Sequence, residues 1–306
     1  MVRSYIFVIS TVIIYSGNLL VGKAINDLPP VTIAFFRTMI AFIVILPFGY
    51  QQLRSNRELW KENWKPLLAI GFTGIATFNV FVYLSLNFTT STNAGIVEAT
   101  TPVFAIFLAY IFLKERLKSR QLIGAAISFA GAIWVLTKGN VTLLFSLQYN
   151  IGDIFMLIAV IIWAIFTMII NEHNHKFPVY GGLLMMLGFG LLFLIPMMFV
   201  EWMIVGIPAA LMSSSTWLGL LYLGIFPSFI ALMLWNKSVQ DLGPSIPSIF
   251  LNLLPIFTAI GAVLFLNESI KITQIVGGFL VILGVILVTV DLKKIIGKII
   301  KQKEVA

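Results

Sequence analysis

Arg37 and Glu98 stand out because each interrupts a long apolar run: Phe35-Phe36 before Arg37, and Ala94 to Val97 before Glu98. A charge inside a membrane-length apolar helix is costly, and where one is kept it marks a pairing or ligand site. Arg37 lies about seven residues into its run, near 10 Å at helical rise, and Glu98 about one turn into its own from the same side. The two could pair as a structural or coupling ion pair. Alternatively, the Glu98 carboxylate could titrate or hold a substrate ammonium group. Asn18, Tyr83, Ser248 and Asn252 are further polar candidates for contact with a small solute, and Trp163 could stack on one. Asn79, Asn236 and Gln274 also fall at membrane depth, where asparagine commonly links helices.

Two prolines lie close to these groups. Proline cannot donate to the carbonyl four residues back. Pro102 therefore frees the carbonyl of Glu98, beside Thr100 and Thr101, and Pro255 frees that of Leu251, beside Ser248 and Asn252. Both are expected to kink their helices and turn polar groups toward a cavity.

These residues need helices to carry them across a bilayer, about 20 mainly apolar residues each. The sequence has ten such stretches, at 4–22, 31–50, 66–86, 93–113, 121–137, 152–171, 178–200, 216–236, 245–266 and 272–291. The first is too long for a signal-peptide core and reads as an uncleaved span. The breaks carry turn chemistry, as at Leu28-Pro29-Pro30 and Leu242-Gly243-Pro244. The expected fold class is an all-α membrane protein of about ten transmembrane helices.

Composition agrees. The 306 residues are 59 % hydrophobic and 10 % charged, against roughly 25 % charged in soluble domains. The net charge of +8 sits in short loops and the tail, so it reads as an orientation signal and not as a nucleic-acid footprint. With both termini cytoplasmic, 16 lysines and arginines fall inside and three (Lys23, Lys138, Lys271) outside. The expected location is the cell membrane, with lipid as the surrounding partner. The segment 293–306 is a basic cytoplasmic tail suited to anionic lipid.

Shifting the chain by about 153 positions superposes Pro102 on Pro255, Glu115 on Glu268, Gln121 on Gln274, Gly124 on Gly277 and Gly131 on Gly284. In all, 12 of 34 consecutive positions (102–135) are identical. Two repeats follow, 1–140 and 150–292. Each holds five spans, so the second must enter the membrane upside down. The charges agree: Lys114, Arg116 and Arg120 flank Glu115, while Asn267, Ser269 and Thr273 replace them around Glu268.

Glu115 and Glu268 each precede a helix, where a carboxylate suits the positive end of the helix dipole, so both read as structural. Gly124, Ser128 and Gly131, like Gly277 and Gly284, form small-residue faces that suit the monomer or a homodimer equally well. His173 and His175 with Glu172 are too few for a metal site. No phosphate loop, dinucleotide fingerprint or nucleophile elbow is present, so neither a cofactor nor an enzyme is expected.

Taken together, these motifs resemble the EamA-type branch of the drug/metabolite transporter superfamily. They are Tyr15-Ser16-Gly17-Asn18 with Lys23, Pro30 with Phe36-Arg37, Thr101-Pro102-Val103-Phe104, Leu113-Lys114-Glu115-Arg116-Leu117, and Leu266-Asn267-Glu268 with Gln274 to Gly277. The resemblance implies a ten-helix secondary carrier that moves a small-molecule substrate by alternating access. It also implies a central cavity between the repeats and more peripheral fifth and tenth helices. The solute is open, with amino acids or related metabolites among the choices. A channel-like facilitator and an intramembrane enzyme are the alternatives. Tyr15 stands where the family often has tryptophan, and the second repeat has Phe166 and Met185 in place of Asn18 and Arg37.

Overall fold

Proline and glycine set several of the helix limits. In the computed structural model, residues 2–101, 103–104, 107–108, 119–136, 139–140, 150–242, 247 and 250–289 are described. Helix α1 is Val2–Ala24 and α2 is Pro30–Ser55. Pro30 opens α2 at a position where its missing N–H costs no helical bond. A short α3, Arg57–Glu62, leads into α4, Trp64–Phe88. Helix α5 is Ser91–Glu98 and α6 is Ser119–Leu136. Helix α7 is Ile151–His173, and α8, Val179–Val205, ends at Gly206 with φ 80°. Helix α9 runs Ser214–Ile225, passes through Phe226–Ala231 and continues as Leu232–Leu242. Helices α10, Leu254–Leu266, and α11, Ile272–Thr289, follow.

No strand occurs among the described residues. Six helices are long and apolar enough to cross a membrane: Arg3–Ala24, Pro30–Ser55, Trp64–Phe88, Ile151–Ile170, Val179–Val205 and Ser214–Val239. Of the other four expected spans, 121–137, 245–266 and 272–291 overlap the shorter helices α6, α10 and α11, and 93–113 overlaps the end of α5, with 102, 105–106 and 109–113 outside the described residues.

Helices α2 and α8 run antiparallel and cap one another. Glu201, near the end of α8, accepts from the Val31 and Thr32 amides at 2.9 and 2.8 Å and from the Thr32 hydroxyl at 2.7 Å. Gln52, near the end of α2, accepts from the Gly181 amide at 2.8 Å at the start of α8. Each helix thus fills amides that its partner's first turn leaves free. Both also carry an internal proline, Pro47 and Pro196.

Helices α4 and α9 each contain one π-helical stretch, Gly71–Thr77 and Phe226–Ala231. The second has a visible cause. Pro227 has no N–H for the Leu223 carbonyl four residues back; the Ser228 hydroxyl takes that carbonyl instead, at 2.7 Å. In the first, the Asn79 side-chain amide donates to the Ile75 carbonyl at 2.7 Å. Such widened turns free side chains for other partners.

Helices α6 and α11 pack on each other through their glycines. A Cβ on Gly131 would lie 2.8 Å from the Gly277 carbonyl oxygen and the Val281 nitrogen. One on Gly284 would strike the backbone of Ser128 and Gly124. Of the two uses open from the sequence, these faces serve a contact inside the chain.

At one end of the bundle, the ends of α1 and α4 and the starts of α5, α7 and α11 are tied together. Lys23 donates to the Leu86 and Thr89 carbonyls at 2.6 and 2.9 Å. Thr89 bonds to Asp153, and Gln274 donates to the Asn93 side chain at 2.6 Å. Glu268 caps α5, accepting from Ser91 Oγ at 2.8 Å, the Ser91 amide at 3.0 Å and Thr92 Oγ1 at 3.0 Å. The helix it caps is therefore α5, not the α11 that follows it in sequence. Asn267, in the left-handed region at φ 51°, ends α10 and turns the chain to put Glu268 there.

Candidate functional site

A cavity of about 40 Å³ lies where α1, α2, α4, α5, α7, α8 and α9 converge, with Leu251 also in its wall. Arg37 is its anchor, only 4 % exposed. Its Nε donates to Ser228 Oγ at 2.7 Å. Its Nη1 approaches the Asn18 and Asn79 side-chain oxygens at 2.8 and 2.7 Å, and the Tyr83 hydroxyl closer still. Nη1 has two hydrogens for these three oxygens, and the Tyr83 hydroxyl donates onward to Asn18 at 2.9 Å. Ser228 lies in the second π-helical stretch and Asn79 two residues beyond the first; each has one function on a carbonyl of its own helix and the other facing the guanidinium.

All of these partners are neutral, and guanidinium stays charged at any physiological pH. The positive charge is held but not cancelled. Among the described residues Nη2 has no hydrogen-bond partner, and Arg37 lines the cavity.

Glu98 lines the same cavity and is half-buried. The expected ion pair with Arg37 is not made, since depth along two helices does not fix the direction in which each side chain points. Among the described residues the Glu98 carboxylate has no hydrogen-bond or salt-bridge partner, and it is absent from the fully buried groups. Its backbone carbonyl is not left open as the Pro102 argument expected, because the Thr101 hydroxyl bonds to it. The Thr100 hydroxyl takes the Val97 carbonyl in the same way, at 2.7 Å. The two hydroxyls accompany a break in α5 directly after Glu98.

The rest of the wall is aromatic and aliphatic. Trp163 is in the wall, with Phe78 at 4.5 Å and Phe166 at 4.7 Å between ring centroids. Tyr15 meets Trp163 edge-on at 6.1 Å, and its hydroxyl is buried without a partner. Trp235 backs this cluster, fully buried, with its Nε1 also unpartnered.

Asn18, Tyr83, Arg37, Glu98 and Trp163 thus come together, with Tyr83 touching the site through Arg37 and Asn18. Pro255 stands in the first turn of α10, after the 3-10 turn Leu251–Leu253. It marks a junction between helix types and not a kink within one α-helix. Pro102, Glu115, Ser248 and the tail 293–306 lie outside the described residues, and only the backbone of Asn252 is described. Ser228 and Thr38 were not singled out from the sequence. A proline followed by serine in an apolar run was the signal available for Ser228.

This is the architecture of a polytopic membrane protein with a charged cavity at its centre. The family profile of the "EamA-like transporter family" matches residues 2–137 and again 150–290, and the chain belongs to that family. An uncharacterized transporter of Archaeoglobus fulgidus is 26 % identical over 94 % of this chain and 97 % of its own length. A probable terminal-alkyne amino-acid exporter of Streptantibioticus cattleyicolor is 25 % identical over 79 % of this chain and 76 % of its own. One crystal structure superposes with a TM-score of 0.66 at 17 % identity, covering 94 % of this chain and 95 % of that one, which bears on the fold alone. The chain is a transporter and not an enzyme.

Proposed function

We propose that this transporter is a secondary carrier for small zwitterionic metabolites, amino acids with apolar side chains in particular. It would work by alternating access at the Arg37–Glu98 cavity. The observation that carries the reading is the pair of opposite charges lining one cavity without a partner among the described residues: the N–H groups of Arg37 Nη2 and the carboxylate of Glu98. A solute carboxylate suits the first and an ammonium group the second. Buried charges left unpaired are costly, so a ligand completing both would bind strongly for its size. The wall of Tyr15, Phe78, Trp163 and Leu232 suits an apolar side chain. The amino-acid exporter among the relatives points the same way.

The volume supports a carrier over a pore. About 40 Å³ has room for only about three waters, so admitting an amino acid requires the helices to move. The ties among Lys23, Asp153, Glu268 and Gln274 close the end that the lysine and arginine distribution assigns to the outside. Two five-helix repeats, 1–140 and 150–292, inserted in opposite senses, would provide two equivalent arrangements for such a movement. Support for them comes from the family profile matching two stretches, the reciprocal caps of α2 and α8, and the paired π-helical stretches of α4 and α9.

The test is counterflow. Proteoliposomes preloaded with unlabelled L-leucine should take up labelled L-leucine transiently above its outside level, and Glu98→Gln should lower the rate at least tenfold. Uptake that is indifferent to preloading would identify a channel-like facilitator instead.

A further inference from the structure

The cavity wall includes one carboxylate, that of Glu98, among the described residues. Among the described residues Glu98 has no hydrogen-bond or ion-pair partner, and Arg37, the cation that lines the cavity with it, is turned to Ser228, Asn18, Asn79 and Tyr83. Closing the bundle around an ionised, unpartnered carboxylate is unfavourable. Two small species can remove that penalty: a proton on the carboxyl, or the ammonium group of a solute. Both need the same oxygens, so one excludes the other.

We propose that Glu98 is a single exchange site at which a proton and the solute ammonium group replace each other, making the carrier an obligate solute/proton antiporter. The proposal rests on the amino-acid reading above for the identity of the solute. On the side where solute binds, Glu98–COOH releases its proton to the water of the opened cavity, and the carboxylate so formed accepts from R–NH₃⁺. On the other side the solute leaves and a proton from that side rejoins the carboxylate. Nothing else is consumed.

Few other groups can take this part. Among the described residues, Arg37 from α2, Tyr15 from α1 and Tyr83 from α4 are the ionisable groups around Glu98 within the membrane. Neither tyrosine suits an exchange at neutral pH, since phenols lose their proton near pH 10, and guanidinium does not titrate. Helices α10 and α11 carry no ionisable residue, and α6 has only Arg120, in its first turn. Lys23, Asp153 and Glu268 are engaged around the start of α5, about 10 Å along the helix from Glu98.

Charge completes the cycle. With Glu98 protonated, the empty cavity carries the charge of Arg37 alone. With Glu98 ionised and a zwitterion bound, it carries none. Each exchange therefore moves one positive charge opposite to the solute, so membrane potential as well as a pH gradient drives transport.

Two measurements on the full-length chain test this. In detergent, N,N′-dicyclohexylcarbodiimide, which attacks protonated carboxyls in apolar surroundings, is applied between pH 6 and 9 and the adduct is located by peptide mass. The expected result is modification at Glu98 that falls as pH rises, is absent in Glu98→Gln, and drops several-fold with saturating L-leucine. In proteoliposomes, an acid interior or an inside-positive potential should each drive labelled L-leucine to accumulate above its outside level, and Glu98→Gln should not accumulate it. L-leucine transport that ignores both gradients overturns the exchange and leaves the amino-acid reading intact. Protection by isobutylamine but not by L-leucine keeps the exchange and removes the zwitterion reading. Modification of Glu98 that is indifferent to pH and to both solutes overturns the proposal outright.

Discussion

Arg37 and Glu98 have opposite standing in the same cavity, and their neighbours should respond in opposite ways to mutation. Ser228 holds the Leu223 carbonyl and accepts from Arg37 Nε. Ser228→Ala strips both, and leaving buried polar groups unpaired costs about 1–3 kcal/mol. The melting temperature in detergent should fall by several degrees, and solute counterflow should fall with it. Glu98→Gln removes an unpartnered charge and should leave the melting temperature unchanged or raised while transport is lost. If Glu98→Gln instead unfolds the chain, Glu98 has a structural partner and the cavity reading is wrong. Arg37, Glu98 and Asn18 could be picked from the sequence because a charge or amide in an apolar run is conspicuous. That Arg37 meets Asn18 and not Glu98 was not legible, because seven residues of depth in one helix and one turn in another leave the rotation of each helix about its axis undefined.

Helix limits were legible wherever proline, glycine or an apolar run of membrane length supplied the signal, as at Pro30 and Gly206. The π-helical stretches were not. A widened turn depends on its tertiary partners, and Arg37 bonds Ser228 inside the second stretch and Asn79 just beyond the first. Glu201 was passed over for a related reason: a lone carboxylate at a helix end reads as solvated unless the helix it caps is known. The glycine faces of α6 and α11 were seen, and the structure supplies their contact. Gly284→Ala would drive a methyl group into the Ser128 backbone, and overpacking of this kind costs about 1–3 kcal/mol. Gly278→Ala would meet only Ile96, at an ordinary 3.6 Å, and should be close to neutral. Comparing the two variants by thermal unfolding in detergent tests the α6–α11 crossing, and equal effects would refute it.

At the scale of the molecule side chains tie the helices at both ends. The end with Glu268 joins α5 to α10, α7 and α11 through side chains. The opposite end is tied, among the described residues, by Ser4 to Asp241 at 3.1 Å and by Gln52 to Gly181. There the Lys237 hydrogen bond, then that of Ser4, holds the Asp241 carboxyl below its usual range, so this tie persists into mildly acidic solution. Weakening the Glu268 end should shift the carrier toward opening on that side. Glu268→Gln retains one acceptor oxygen but loses the charge facing the α5 amides. A cysteine at Asn18, in a chain with no native cysteine, should then react several-fold faster with an impermeant thiol reagent from that side only. Unchanged labelling would mean that the Glu268 cap does not set access.

The same distant caps constrain how the chain is made. The amides that open α2 wait for Glu201, 170 positions downstream, and those that open α5 wait for Glu268, 177 positions downstream. At synthesis rates of about 5–20 residues per second, that delay is roughly 10–35 s. During it, the newly inserted first half presents uncapped helix starts at one membrane surface. A first half expressed alone should therefore be short-lived, and co-expressing the second half should extend its lifetime in a pulse-chase, provided Glu201 and Glu268 are intact.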